Sequence, residues 1–200
     1  RVFDARLRRV IDPPLNRVGS HLAALGISAN QVTVVGFVLG LVAVPLVALQ
    51  AYEAALVMIL LNRLCDGLDG AVARFSVMTD LGGFLDIVLD FIFYSAVIFG
   101  FVLAQPEHAS YGAFLIFSFI GTGSSFLAYS TFAAKRGLTS SLRGSKSLYY
   151  LGGLTEGFET ILCLTLMCLM PNSFWILAII FGSLCWLTTA TRIYAAVKTL

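Results

Sequence analysis

Apolar residues run along the chain in six long blocks, at about 31–49, 53–74, 80–104, 110–134, 148–170 and 172–196. Each is near the roughly 20 residues that a helix needs to cross the hydrocarbon core of a bilayer. Short polar breaks lie at Gln50–Glu53, Gln105–Ala109 and Pro171–Ser173, and a longer polar, basic break runs from Lys135 to Ser147. Ahead of the first block, Phe3, Leu7, Val10 and Ile11 recur at helical spacing with arginines on the other face. That pattern predicts an amphipathic helix lying on the membrane interface. Pro13-Pro14 is expected to break it, and Asn30 to cap the first span. The expected fold class is all-α: a polytopic membrane protein with six transmembrane helices plus an N-terminal interfacial amphipathic helix. A single membrane domain covers 1–200, with 1–29 as a juxtamembrane segment.

Composition agrees. Of 200 residues, 58% are apolar and 12% charged, with a mean hydropathy of +0.90. Water-soluble domains carry about 45–50% apolar and roughly 25% charged residues, so a soluble globule, a disordered chain and a nucleic-acid binder are excluded as readings. The net charge of +2 matters less than where the cations fall. Arg1, Arg6, Arg8, Arg9 and Arg17 precede the first block, and Arg63 and Arg74 lie late in the second. Lys135, Arg136, Arg143 and Lys146 fill the long break, and Arg192 and Lys198 close the chain. With six spans all of these share one side, while the short breaks hold no Lys or Arg. By the positive-inside rule both termini face the cytoplasm. The basic, amphipathic opening does not read as a cleavable signal peptide. The missing initiator Met is what a trimmed N-terminus would give.

Cys65, Cys163, Cys168 and Cys185 all lie in apolar blocks and form no CxxC pair, which predicts packing residues rather than disulfides or a zinc site. His21 and His108 read as surface residues. Small residues four apart, Gly36 with Gly40, Gly121 with Ser125 and Gly153 with Gly157, predict close approach of helix backbones in lipid.

The chemistry concentrates between the second and third blocks. Asp66, Asp69, Asp80, Asp86 and Asp90 are five of the eleven acidic residues. Carboxylates at membrane depth are costly and mark function by default. At 100° per residue, Asp66, Asp69, Gly70 and Ala73 share one helix face, and Gly82, Asp86 and Asp90 share a face of the next. A turn near Ser76–Thr79 brings the faces together. Four facing carboxylates need protons or cations between them. An all-oxygen set suits a hard divalent cation such as Mg²⁺. Gly70 and Ala73 leave room for a bulky ligand, and Arg74 suits a phosphate or diphosphate. These features together describe phosphoryl transfer. The plain alternative is interhelical salt bridges or a proton path, for which the nearby cations look too few.

These residues resemble the signature of the CDP-alcohol phosphatidyltransferase family. Asp66, Asp69-Gly70, Ala73-Arg74, Gly82, Asp86 and Asp90 fill all eight of its fixed positions. Seven residues separate Arg74 from Gly82, one fewer than in the family pattern. A deletion in that turn leaves both carboxylate faces intact. Asn30 and Thr33 also match a family habit at the start of the first span, with Ala29 where Pro is common. The likeness covers most of the chain and runs to bacterial inner-membrane members whose acceptor is unassigned.

The resemblance implies metal-dependent transfer of a phosphatidyl group from CDP-diacylglycerol to an alcohol, with release of CMP, in phospholipid biosynthesis. It implies one or two Mg²⁺ or Mn²⁺ ions on Asp66, Asp69, Asp86 and Asp90. Asp69, Gly70, Ala73 and Arg74 would bind the nucleotide, and Asp90 would be the general base. It also implies a homodimer in the bacterial inner membrane, its active site facing the cytoplasm among membrane lipids.

The acceptor is a small polar or lipid alcohol. Glycerol 3-phosphate is the default, and inositol phosphate, serine and phosphatidylglycerol (a cardiolipin synthase) are alternatives. Lys135, Arg136, Arg143, Lys146 and Arg192 are candidates for an acceptor phosphate, or equally for anionic lipid head groups. Glu156 and Glu159, beside Gly152, Gly153 and Gly157, form a pair for polyol hydroxyls, an amine, Arg143 or Lys146, or a purely structural pair. A cation transporter is the remote alternative. It would not need Gly70, Ala73 and Arg74 in register with the acids. A silent scaffold would not need the complete motif.

Overall fold

The computed structural model describes residues 2–137 and 154–200, with side chains from residue 12 onward. Every regular element among the described residues is helical. The helices are α1 (Val2–Ala24), α2 (Ala29–Ala48), α3 (Tyr52–Phe75), α4 (Asp80–Ala104), α5 (Ala109–Lys135), α6 (Gly157–Leu169) and α7 (Phe174–Thr199). Single 3₁₀ turns at Pro106–His108 and Pro171–Ser173 lead into α5 and α7. Among the described residues, four stretches are long and apolar enough to cross a membrane: Ala29–Ala48, Asp80–Ala104, Pro106–Lys135 and Pro171–Thr199. Helix α3 has the length, at 24 residues, but from its midpoint onward it carries Arg63, Asp66, Asp69 and Arg74. Helix α6 covers the end of the block expected at 148–170, whose start lies outside the described residues.

The structure departs from the sequence expectations at two points in its first helices. Pro13 and Pro14 lie inside α1 and do not break it. Packing compensates for the hydrogen bonds that the two prolines cannot donate. A Cβ placed on Gly19 would stand 2.7 Å from the Cβ of Ala71, and one on Gly67 would stand 3.0 Å from Leu15. The second half of α1 is thus seated directly on α3. The cap of α2 is Ser28, not Asn30. The Ser28 hydroxyl accepts from the Gln31 backbone N–H at 3.3 Å, and the Gln31 side chain accepts from the Ser28 N–H at 2.9 Å. This reciprocal capping box leaves Asn30 to face the start of α4, where its oxygen would meet a Cβ on Gly82 at 2.9 Å.

Between α1 and α2 the chain turns through Gly26 at φ 79. The Ile27 N–H bonds the Leu22 carbonyl and the Gly26 N–H bonds the Ala23 carbonyl, both at 3.0 Å, a Schellman closure. Gln50 makes the equivalent turn after α2 at φ 62, a left-handed position that a side chain occupies at some cost.

The chain forms two compact units, Arg1–Ala96 and Val97–Leu200. In the first, α3 packs along α2 and α1. A Cβ on Gly36 would stand 2.5 Å from the Cβ of Cys65, and one on Gly40 would stand 2.8 Å from the Phe93 ring. The predicted small-residue pair therefore lets α2 approach both α3 and α4. In the second unit, α5 packs on α7 and α6 on α7. Gly121 meets Thr189 and Trp186, Gly182 meets Phe114, and Phe101 stacks on Phe174 at 5.0 Å. His108, Tyr111 and Trp175 form a ring cluster with centroids 5.8–6.2 Å apart, of the kind that anchors helices at membrane interfaces. All four cysteines are free, and Cys163, Cys168 and Cys185 are buried.

Candidate active site

Helix α3 ends at Phe75 and α4 begins at Asp80, so the chain reverses over the four residues where the turn was expected. Thr79 fixes the new start, its hydroxyl accepting from the Gly82 N–H at 3.0 Å. Asp66 and Asp69 on α3 then face Asp86 and Asp90 on α4. All four line one cleft, with Thr33, Gly36, Asn62, Arg63 and Leu89. Asp66, Asp69 and Asp86 each offer an oxygen lying within 4.8 Å of the others. This all-oxygen set fits a hard divalent cation in spacing and in chemistry.

The neighbours orient the carboxylates. The Thr33 hydroxyl, on α2, donates to Asp69 at 2.6 Å, and Asp69 is the buried member of the set. Arg63 lies one turn before Asp66 and reaches two of the acids. It pairs with Asp66 at 3.3 Å, and with Asp90 through Nη2 and, at 3.3 Å, through Nη1. The Tyr94 hydroxyl donates to the same Asp90 at 2.8 Å. Arg63 is held in turn by the Asn62 side-chain oxygen at 3.1 Å and lies 5.6 Å from the Tyr94 ring and 5.9 Å from the Phe93 ring. Asn62 donates to the Gly36 carbonyl at 3.0 Å.

The cation shortage expected from the sequence is therefore only partial, since one arginine serves Asp66 and Asp90. Arg63, Tyr94, Asn62 and Asn16 are site residues that the sequence reading passed over. The signal was present for two of them. Arg63 precedes Asp66 at i, i+3, and Tyr94 follows Asp90 at i, i+4, so each extends an acidic stripe by one turn.

Gly70 and Ala73 continue the Asp66–Asp69 face. Exposed Arg74 donates to the Asn16 oxygen from Nε at 3.0 Å and from Nη2 at 2.7 Å. The candidate acceptor cations all lie in the later half of the chain. Lys135 and Arg136 are exposed at the end of α5, and Arg143 and Lys146 lie outside the described residues. Arg192 is buried in the second unit, where it donates to the Thr122 carbonyl at 2.9 Å and lies 5.5 Å from the Phe126 ring.

Glu156 and Glu159 have a structural task. Glu156 is the N-cap of α6 and Glu159 its third residue, and the pair closes a capping box. The Glu159 carboxylate accepts from the Glu156 N–H at 3.0 Å. Negative charge at a helix start is also favoured by the helix dipole.

Comparison with known proteins leads to the same chemistry. The chain is 54% identical to inner membrane protein YnjF of Escherichia coli strain K12, over all of this chain and 97% of that protein. It is 30% identical to archaetidylinositol phosphate synthase of Pyrococcus horikoshii, over 98% of this chain and 97% of the other. Its fold is similar to that of phosphatidylinositol phosphate synthase of Mycobacterium tuberculosis. The form with manganese and citrate matches at a TM-score of 0.72 and 20% identity, over 91% of this chain and 88% of that one. The form with CDP-DAG bound matches at a TM-score of 0.66 and 21% identity, over 91% and 92%. The CDP-alcohol phosphatidyltransferase family model matches residues 26–194, which include the whole acidic signature, and the chain belongs to that family of membrane transferases.

Proposed function

We propose that the protein transfers a phosphatidyl group from CDP-diacylglycerol to an alcohol and releases CMP, at the cleft between α3 and α4. The observation that carries this reading is the convergence of Asp66, Asp69 and Asp86 within 4.8 Å, with Asp90 in the same cleft. Asp66, Asp69 and Asp86 would hold Mg²⁺ or Mn²⁺; manganese is bound in the mycobacterial relative of like fold. Such an ion supplies positive charge against the diphosphate and the departing CMP. Gly70 and Ala73 leave space for the nucleotide, and Arg74 exchanges its neutral Asn16 partner for a phosphate oxygen. Asp90 takes the acceptor's hydroxyl proton. A bond forms from the acceptor oxygen to the phosphatidyl phosphorus, and the bond from that phosphorus to the oxygen retained by CMP breaks.

Glycerol 3-phosphate is the default acceptor. One observation favours inositol phosphate: the archaeal relative is named archaetidylinositol phosphate synthase, and the mycobacterial protein of like fold phosphatidylinositol phosphate synthase. Both candidates carry a phosphate, which suits Arg192, Lys135, Arg136, Arg143 or Lys146. The wider setting is a single domain over 1–200, working as a homodimer in the inner membrane. It has six spans, counting α3 and the block at 148–170, with both termini and the active site on the cytoplasmic side. Helix α1 lies at that surface, which its arginines and its seat on α3 support.

The test is to incubate the purified protein with labelled CDP-diacylglycerol, Mg²⁺ and a panel of alcohols, and to identify the lipid product by mass. Metal-dependent CMP release with one acceptor is the expected result. No release with any of them, or Mg²⁺ flux without release, would favour a transporter. Asp90→Asn should abolish transfer and leave CDP-diacylglycerol binding largely intact; near-normal turnover would remove Asp90 from the base role.

A further inference from the structure

The turn that reverses the chain between α3 and α4 has Val77 and Met78 at its middle. Val77 is 82% exposed and Met78 65%, and Phe75, Leu81 and Phe84 beside them are each more than half exposed. The α1–α2 turn lies alongside, because the Asn30 oxygen at the start of α2 would stand 2.9 Å from a Cβ on Gly82 at the start of α4. It adds Leu25, 72% exposed. Turns that stand in water are ordinarily polar, and a contiguous apolar rim of this kind marks a contact with protein or membrane. A lipid leaflet is the occupant that fits. The rim is continuous with α4, which from Asp80 onward is long and apolar enough to cross a membrane. The neighbouring α1, seated on α3 where Gly19 meets Ala71, carries four arginines, of which Arg17 is exposed. Such a basic helix suits anionic head groups. Charged residues bracket the turn, Arg74 before it and Asp80 after it. They limit its depth to the boundary between head groups and acyl chains, about 5–10 Å into the leaflet.

We propose that the Val77–Met78 turn is a lip inserted into the bilayer beside the α3–α4 cleft, over which a two-chain nucleotide lipid passes into the cleft while its chains stay in the leaflet. The purpose of the lip rests on the transferase reading above; its insertion does not. Asp69 lies six residues before the end of α3 at Phe75, about 9 Å along the helix. A lipid held at the turn therefore presents its diphosphate to the acids without being drawn into water.

The depth of the turn is read from a nitroxide attached to Val77→Cys in the full chain, reconstituted in vesicles of phosphatidylethanolamine and phosphatidylglycerol, with the signal of identically treated wild type subtracted. Collisions with oxygen, which concentrates in lipid, should exceed collisions with a water-soluble nickel chelate. Greater access to nickel would place the turn in water, and low access to both would mean that protein covers it; either result overturns the proposal. Met78→Asp supplies the kinetic arm, with glycerol 3-phosphate and inositol phosphate both present as acceptors. For long-chain CDP-diacylglycerol in the same vesicles its KM should rise about five-fold, the scale of one partly buried apolar side chain, at unchanged kcat. A short-chain CDP-diacylglycerol supplied from solution should be used as well as by the wild type. Equal losses with the two substrates, or no change with either, overturns the lip. If Met78→Asp does not fold, the nitroxide decides alone. If the wild type releases no CMP from either substrate, the transferase reading fails, and the nitroxide still reports whether the turn is inserted.

Discussion

Arg74 donates two hydrogen bonds to one oxygen of Asn16, and so ties the end of α3 to the middle of α1. The partner is a neutral amide, so the guanidinium is oriented without being neutralised. An incoming phosphate offers a stronger, charge-assisted bond. Asn16→Asp should therefore hold Arg74 back and raise the KM for CDP-diacylglycerol roughly two- to five-fold, the scale of an exposed ion pair. Asn16→Ala should leave KM unchanged or lower it. Equal KM in the aspartate and alanine variants would show that Asn16 does not restrain Arg74.

Thr33 acts through Asp69. Its hydroxyl donates at 2.6 Å to a carboxylate that is largely buried. Thr33→Val keeps the shape and removes the donor. Hydrogen bonds to ligating groups are commonly worth about 10–100-fold in metal affinity, so the Mg²⁺ needed for half-maximal activity should rise at least about ten-fold. Thr33→Ser should restore it. Unchanged metal dependence in the valine variant would mean that Asp69 is oriented by other contacts.

Gly36 controls how closely α2 and α3 approach. The 2.5 Å separation between a Cβ at Gly36 and the Cβ of Cys65 involves two atoms fixed to helical backbone, so neither can swing aside. Gly36→Ala should cost about 1–3 kcal/mol, as overpacking does, read as a lower melting temperature in detergent. Activity should fall with it, because Thr33 and Asp69 sit across this same contact. Cys65→Gly in the Gly36→Ala background should recover part of the loss.

Glu156 and Glu159 should prove structural. Glu159→Gln retains an acceptor for the Glu156 N–H and should be nearly silent. Glu156→Ala removes a cap and should cost about 1 kcal/mol, with acceptor KM unchanged. A raised acceptor KM in either variant would return the pair to the acceptor site.

Much of this protein is legible in its sequence because the bilayer restricts the options. A segment crossing lipid must satisfy its own backbone groups, which leaves runs of about 20 apolar residues as a strong helix signal. The expected block at 80–104 coincides with α4, and those at 31–49, 53–74 and 110–134 agree with α2, α3 and α5 to within two residues. The acidic face was legible for the same kind of reason. Helical periodicity puts Asp66 with Asp69, and Asp86 with Asp90, whatever surrounds them.

What depended on contacts between distant residues was not legible. Pro13-Pro14 reads locally as a break, and the burial of Gly19 against Ala71 overrides it. Glu156 and Glu159 read equally as a ligand pair or a structural pair until the start of α6 is located. Above all, sequence spacing treats the four aspartates alike, whereas the fold gives Asp69 a donor from Thr33, lets Arg63 bridge Asp66 and Asp90, and adds the Tyr94 hydroxyl to Asp90 alone. The sequence by itself determined the helices, their apolar faces and the family chemistry, because these follow from local periodicity in a medium without water. Tertiary structure decided which carboxylate each neighbouring donor serves, because such partnerships depend on distances between helices that no single helix specifies.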